Sequence, residues 1–245
     1  MNLFFIVLVF LFGVVIGSFL NVLIYRLPLG ISVAHGFSMC PVCEHRLYPA
    51  DLVPVVSWLF LGGKCRYCKA PIAPIYPFVE LLNGVLWVAM AFRFGLSVEC
   101  AAFAVVSSCL VVVAFVDWQH MEIPDSMNLA IALMGVLLLL TSHMLSWQAR
   151  LLGFLVVSVP MVALGLLGAM GGGDIKLMAA LGLCLGWRLT LFTVFFGALA
   201  GSAVYLLRRA KMGKQVPFGP FLSVGGIAAI LWGEPLLTWY LGLLH

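Results

Sequence analysis

Gly171-Gly172-Gly173-Asp174-Ile175-Lys176-Leu177 separates two apolar runs, and its reading decides the rest of the chain. Three glycines end one run and a carboxylate opens the next. The chain has 245 residues, 64% of them hydrophobic and only 9% charged, whereas an ordinary soluble domain is about 25% charged. Such a composition implies an integral membrane protein. An ionisable residue at a membrane boundary is costly, so Asp174 marks a functional site. The net charge of +4 does not point to nucleic acid, because the basic residues are dispersed between apolar runs.

Outward from this stretch, the apolar runs predict an all-α polytopic protein with about eight transmembrane helices. They cover roughly residues 3–22, 76–92, 100–116, 126–141, 151–170, 175–187, 189–207 and 221–241. The sixth is short: at 1.5 Å per residue it spans about 20 Å of a roughly 30 Å core. The first run lacks a basic leader region and an A-x-A-like cleavage site, so it is read as a retained span. Pro28 and Gly30 close it, and the small pair Gly17 and Ser18 suits either close helix approach or a substrate-facing role. Residues 23–76 form the only long polar segment, a small domain inserted after the first helix. The expected organisation is therefore 1–22, 23–76 and a helical membrane domain over 77–245.

Charge tests the topology. With the polar segment inside and eight crossings, ten of the 13 Lys and Arg fall inside, including Arg208, Arg209, Lys211 and Lys214. Arg93, Arg150 and Arg188 fall outside. That is the sense of the positive-inside rule. Asp117 and Asp174 are two spans apart, so both return to the same, cytoplasmic side. Two carboxylates brought together there would share one proton. The charged member can take a proton from water, and the protonated member can polarise a peptide carbonyl or protonate the leaving amine. This is aspartyl protease chemistry. The glycines give room for an extended substrate backbone. The competing readings are an N-cap for Asp174, a solvated loop acid for Asp117 and a helix cap for Asp125. Glu122 and His120 read as loop residues. Glu80 needs a polar or cationic partner, for which an arginine of the inserted domain is the candidate.

Seven cysteines are present. Cys40/Cys43 and Cys65/Cys68 form two C-x-x-C pairs with 21 residues between the inner members. Four thiolates in two knuckles suit a closed, tetrahedral, structural zinc site. Disulfides are the alternative, and a cytoplasmic location disfavours them. His45 is a spare ligand. Cys100, Cys109 and Cys184 lie in apolar runs as small packing residues.

Taken in order, these stretches resemble bacterial prepilin peptidases (type IV leader peptidases), membrane aspartyl proteases of the GxGD type. The resemblance is carried by Gly17-Ser18-Phe19-Leu20-Asn21-Val22 through Arg26-Leu27-Pro28, and by both cysteine pairs. It continues in Asp117 with Ile123-Pro124-Asp125, in Gly171-Gly172-Gly173-Asp174-Ile175-Lys176-Leu177, and in Pro217-Phe218-Gly219-Pro220-Phe221-Leu222. Ile123 stands where leucine is more usual, and the cysteine pairs are widely spaced. The resemblance implies that Asp117 and Asp174 are the catalytic pair, with Gly171 to Gly173, Lys176 and Asp125 in support. It implies prepilin or pseudopilin substrates, whose short basic leaders precede a hydrophobic helix, and cleavage at the cytoplasmic face of the bacterial inner membrane. It also implies methylation of the new N-terminus with S-adenosylmethionine. Two other classes compete. A proton-coupled transporter would place its carboxylates near mid-bilayer, and a zinc-bearing membrane scaffold would tolerate loss of either aspartate.

Overall fold

The computed structural model describes residues 2–168, 170–207 and 217–243, so the predicted basic loop with Arg208, Arg209, Lys211 and Lys214 lies outside the described residues. Among the described residues, six helices are long and apolar enough to cross a membrane, and a shorter apolar helix, Asp125–Thr141, accompanies them. The chain divides into two compact units, Met1–Phe92 and Arg93–His245.

In the first unit, α1 (Leu3–Arg26) packs on α3 (Ile75–Phe94). α1 runs one turn beyond its expected end, because Asn21 to Arg26 contains no breaker before Pro28. A Cβ on Gly17 would lie 2.7 Å from the Glu80 Cα, and one on Gly84 would lie 2.6 Å from a Val14 methyl. Of the two readings of Gly17, close backbone approach is the observed one. Asn83, fully buried, donates to the Gly13 carbonyl at 2.7 Å across the same seam.

Between these helices lies the polar segment, with a 3₁₀ turn at Pro49–Asp51 and the one-and-a-half-turn helix α2 (Val56–Phe60). Arg26 anchors its start by donating to the Ser32, His35 and Phe37 carbonyls. Glu80, buried in α3, accepts a 2.7 Å hydrogen bond from the Val55 N–H and is also met by the Ser18 hydroxyl. The expected arginine is not its partner. Val55 itself sits at φ 62, a strained position for a β-branched residue.

In the second unit, α4 (Val98–His120) opens with Ser97, whose hydroxyl accepts from the Cys100 N–H. It ends where Met121 turns left-handed (φ 56), just before Pro124. Asp117 and His120 are thus in the last turn of a helix, not in a loop. α5 (Asp125–Thr141) follows, with Pro124 at its N-cap position, and α6 (Trp147–Leu166) begins at a Ser146 cap. α7 (Gly172–Leu207) leaves helical geometry at Gly186 (φ 71, ψ 170), a conformation only glycine adopts readily. Its two segments replace the predicted spans 175–187 and 189–207. The first abuts α6 so closely that a Cβ on Gly182 would overlap the Gly153 carbonyl oxygen. The second packs on α8 (Gly219–Ala228), which passes through a π-helical turn, Ala229–Gly233, into α9 (Glu234–Gly242).

The break at Gly186 frees carbonyls of the preceding turn, and Arg150 of α6 meets them. Its Nη1 donates to Leu183 O at 3.0 Å and Cys184 O at 3.1 Å, and the residue is only 2% exposed. An arginine assigned by sequence to an external loop is instead a buried strut for a helix bend.

Candidate active site

Two carboxylates stand within electrostatic reach of each other in the second unit. Asp117 projects from the last turn of α4 and is 6% exposed. The loop acid reading fails on that burial. One of its oxygens, Oδ2, accepts a 2.8 Å hydrogen bond from the N–H of Gly219, the first residue of α8. Asp174 stands in the first turn of α7, directly after the glycine run, and the Gly171 N–H hydrogen-bonds it. Its charge and that of Asp117 act on each other directly. Its Oδ1 is buried and has no hydrogen-bond partner among the described residues. A bare acceptor of this kind beside a second carboxylate is where a water fits and, once that oxygen is protonated, where a substrate carbonyl can accept from it. Both aspartates stand at helix ends rather than at mid-span, unlike the midplane acids of a proton relay.

The supporting residues divide. A Cβ on Gly171 would lie 3.3 Å from Asp174 Oδ2, and one on Gly173 would lie 3.0 Å from the Ile123 Cβ. Nothing would touch a Cβ on Gly172 within 4 Å. Lys176 does not reach the pair: it forms an exposed ion pair with Asp125 at 2.8 and 2.9 Å. Asp125 is therefore the partner of Lys176, and it stands as the first residue of α5, after the N-cap position, which Pro124 occupies. The Gly219 amide is the site group that residue-type reasoning missed, since a backbone donor has no side-chain signature. Its signal is the Pro217-Phe218-Gly219-Pro220 run, which places a turn and a helix start after the last basic loop.

In the first unit the Sγ atoms of Cys40, Cys43, Cys65 and Cys68 all lie within 4.8 Å of one another. Cys40 and Cys68 are 3.8 Å apart, close to the edge of a sulfur tetrahedron with zinc–sulfur bonds of about 2.3 Å. The donor set therefore fits a four-thiolate metal. The two knuckles are built alike. The Cys40 N–H donates to His45 O and the Glu44 N–H to Cys40 O, while the Cys65 N–H donates to Ala70 O and the Lys69 N–H to Cys65 O. Glu44 and Lys69, each one residue past its C-x-x-C pair, both take positive φ. N–H groups of Cys43 and Val42 hold the Cys40 thiol down at about 6, which favours a metal-ready thiolate. His45 lies tilted against Tyr67 with ring centres 3.7 Å apart and is not among the four ligands of this cluster.

Residues 11–94 match the family described as the bacterial peptidase A24 N-terminal domain. Residues 104–206 match the type IV leader peptidase family. The chain is 37% identical over 242 residues to a prepilin leader peptidase/N-methyltransferase of Bacillus subtilis, covering 96% of this chain and 97% of that protein. Proteins of the same description are 36% identical in Aeromonas hydrophila, over 96% of this chain and 93% of theirs, and 32% identical in Pseudomonas aeruginosa, over 97% and 93%. No solved structure matches the chain.

Proposed function

Because the chain belongs to the type IV leader peptidase family, we propose that it removes the short basic leaders of type IV prepilins and type II pseudopilins by aspartyl-dyad hydrolysis. The observation that carries the mechanism is the electrostatic proximity of Asp117 and Asp174, with Asp117 tied to the Gly219 amide and Asp174 Oδ1 left bare. A carboxylate deprotonates the attacking water as its oxygen bonds to the scissile carbonyl carbon. The partner acid hydrogen-bonds the carbonyl oxygen and then protonates the leaving amine, so the pair ends with the one proton it began with. Gly171 to Gly173 would admit the extended leader beside Asp174.

The protein is a multi-pass membrane protein. Eight crossings follow if Asp125–Thr141 and the two segments of α7 each traverse the bilayer. With the basic residues inside, the aspartates and the cysteine domain face the cytoplasm of the bacterial inner membrane. Zinc at Cys40, Cys43, Cys65 and Cys68 would serve as a structural staple for a segment too small to bury a strong core.

The same protein methylates the new N-terminus, with S-adenosylmethionine supplying the methyl group. Family membership supports this second activity.

The test uses purified protein and a prepilin in detergent. Asp117→Asn and Asp174→Asn should each abolish cleavage while zinc content and thermal stability hold; full cleavage by either variant would overturn the dyad. In Cys40→Ser, cleavage retained with methyl transfer lost would assign the cysteine domain to methylation, and unchanged methyl transfer would remove that role.

A further inference from the structure

A cavity of about 320 Å³ opens between α5, α6 and α7. The Asp125–Lys176 pair forms its mouth. From there, α5 lines it with Asn128 and Ala132, one and two turns further on, while α7 contributes Ala180 and α6 contributes Phe154. Asn128 is 5% exposed, and neither its Oδ1 nor its Nδ2 has a hydrogen-bond partner among the described residues. A buried amide with both groups unmet is costly in hydrocarbon. It therefore points to an occupant that brings a donor and an acceptor. The small alanines on two helices leave room for a third helix to approach.

The order of these features along the groove matters. Lys176 is two residues from Asp174, and Ile123, two residues before Asp125, covers Gly173. The polar mouth is thus level with the carboxylates, and the apolar floor runs away from them. A substrate cut just before an apolar helix has the same order. Such a helix begins with N–H groups that have no partner of their own. We propose that this groove docks the first turns of the substrate's apolar helix, with Asn128 accepting from those N–H groups and donating to the carbonyl that precedes them. Asn128 is then a positioning residue that holds the scissile bond at the level of the dyad. The inference rests on the leader-peptidase reading.

The experiment uses the full chain in detergent with a prepilin that keeps its apolar helix. Asn128→Leu keeps the volume and removes both polar groups. Its KM should rise about 3- to 18-fold, the range an interhelical hydrogen bond in a membrane supports, with kcat within about twofold. Ala132→Trp fills the groove and should raise KM at least as much. In an Asp174→Asn background, a benzophenone side chain at position 132 should crosslink to the first two turns of the prepilin helix, and excess unlabelled prepilin should suppress the product. An unchanged KM in both variants, a fall in kcat at constant KM, or crosslinking to phospholipid alone would overturn the proposal. The crosslink reads docking without turnover. Failure of the peptidase reading, with Asp174→Asn still cleaving, is therefore distinguishable from failure of the groove.

Discussion

Alanine at position 219 would bring a Cβ to 2.8 Å from Asp117 Oδ2, 3.1 Å from its Cγ and 3.2 Å from its Cβ. Ordinary contact begins near 3.4 Å, so the whole carboxylate must retreat by roughly half an ångström. Asp117 is 6% exposed and has little space to do so. The retreat breaks the 2.8 Å hydrogen bond from the Gly219 N–H. Hydrogen bonds to a charged group contribute about 1.5–3 kcal/mol, which converts to a loss of about 10- to 150-fold in kcat. Gly226→Ala, in the same helix, is the control. Its added methyl would meet a Leu110 methyl at 3.2 Å, the end of a side chain that can turn aside, so kcat should stay within about twofold. The assay is steady-state prepilin cleavage with thermal unfolding measured in parallel. Wild-type turnover in Gly219→Ala would show that the amide does not hold Asp117 in its working position.

Arg150→Ala leaves the Leu183 and Cys184 carbonyls without their donor. At about 1–3 kcal/mol for each unmet buried group, stability should fall by about 2–6 kcal/mol, read as a lowered thermal midpoint that Arg150→Lys partly restores. Cys65→Ser, or a strong chelator, should strip the four-thiolate site: metal per chain measured by mass spectrometry should approach zero, and the segment between α1 and α3 should become sensitive to protease. Acid should loosen that segment too. Burial opposes ionisation of Asp51, but hydrogen bonds from Arg66, the Tyr48 N–H and the Tyr67 hydroxyl outweigh it and hold its pKa below 3.8. A depressed folded pKa contributes stability that is present above 3.8 and is lost as pH falls through the folded value. Protease protection should therefore drop below about pH 4, whereas Asp51→Asn should show weaker protection at neutral pH and lose that part of the acid dependence.

The glycine run and Asp174 were readable because glycine and a carboxylate are both exceptions in apolar sequence. The cysteine cluster was readable because its spacing alone restricts it. Helix ends were read less well. Asp117 was placed at a polar break, yet Trp118, Gln119 and His120 stay helical, since polarity does not end a helix and no breaker comes before Pro124. The partner of Glu80 was misjudged because the domain's arginines are already engaged. Arg26 holds three carbonyls, Arg46 lies 3.1 Å over the Phe37 ring and Arg66 pairs with Asp51. Arg150 and the Gly219 amide act through backbone carbonyls and a backbone donor, neither of which leaves a residue-type pattern.

The bend at Gly186 makes a lever of the first segment of α7. Asp174 stands at one end and the bend at the other, about 18 Å away at 1.5 Å per residue. A swing of only about 3° at the bend moves the carboxylate by roughly 1 Å, a displacement that at an active site can change a rate about a hundredfold. The fulcrum is where Arg150 grips the Leu183 and Cys184 carbonyls and where Gly153 and Gly182 touch backbone to backbone. Alignment of the proposed dyad therefore depends on this clamp at the far end of the helix as well as on the Lys176–Asp125 pair and the Ile123 contact to Gly173 at the near end.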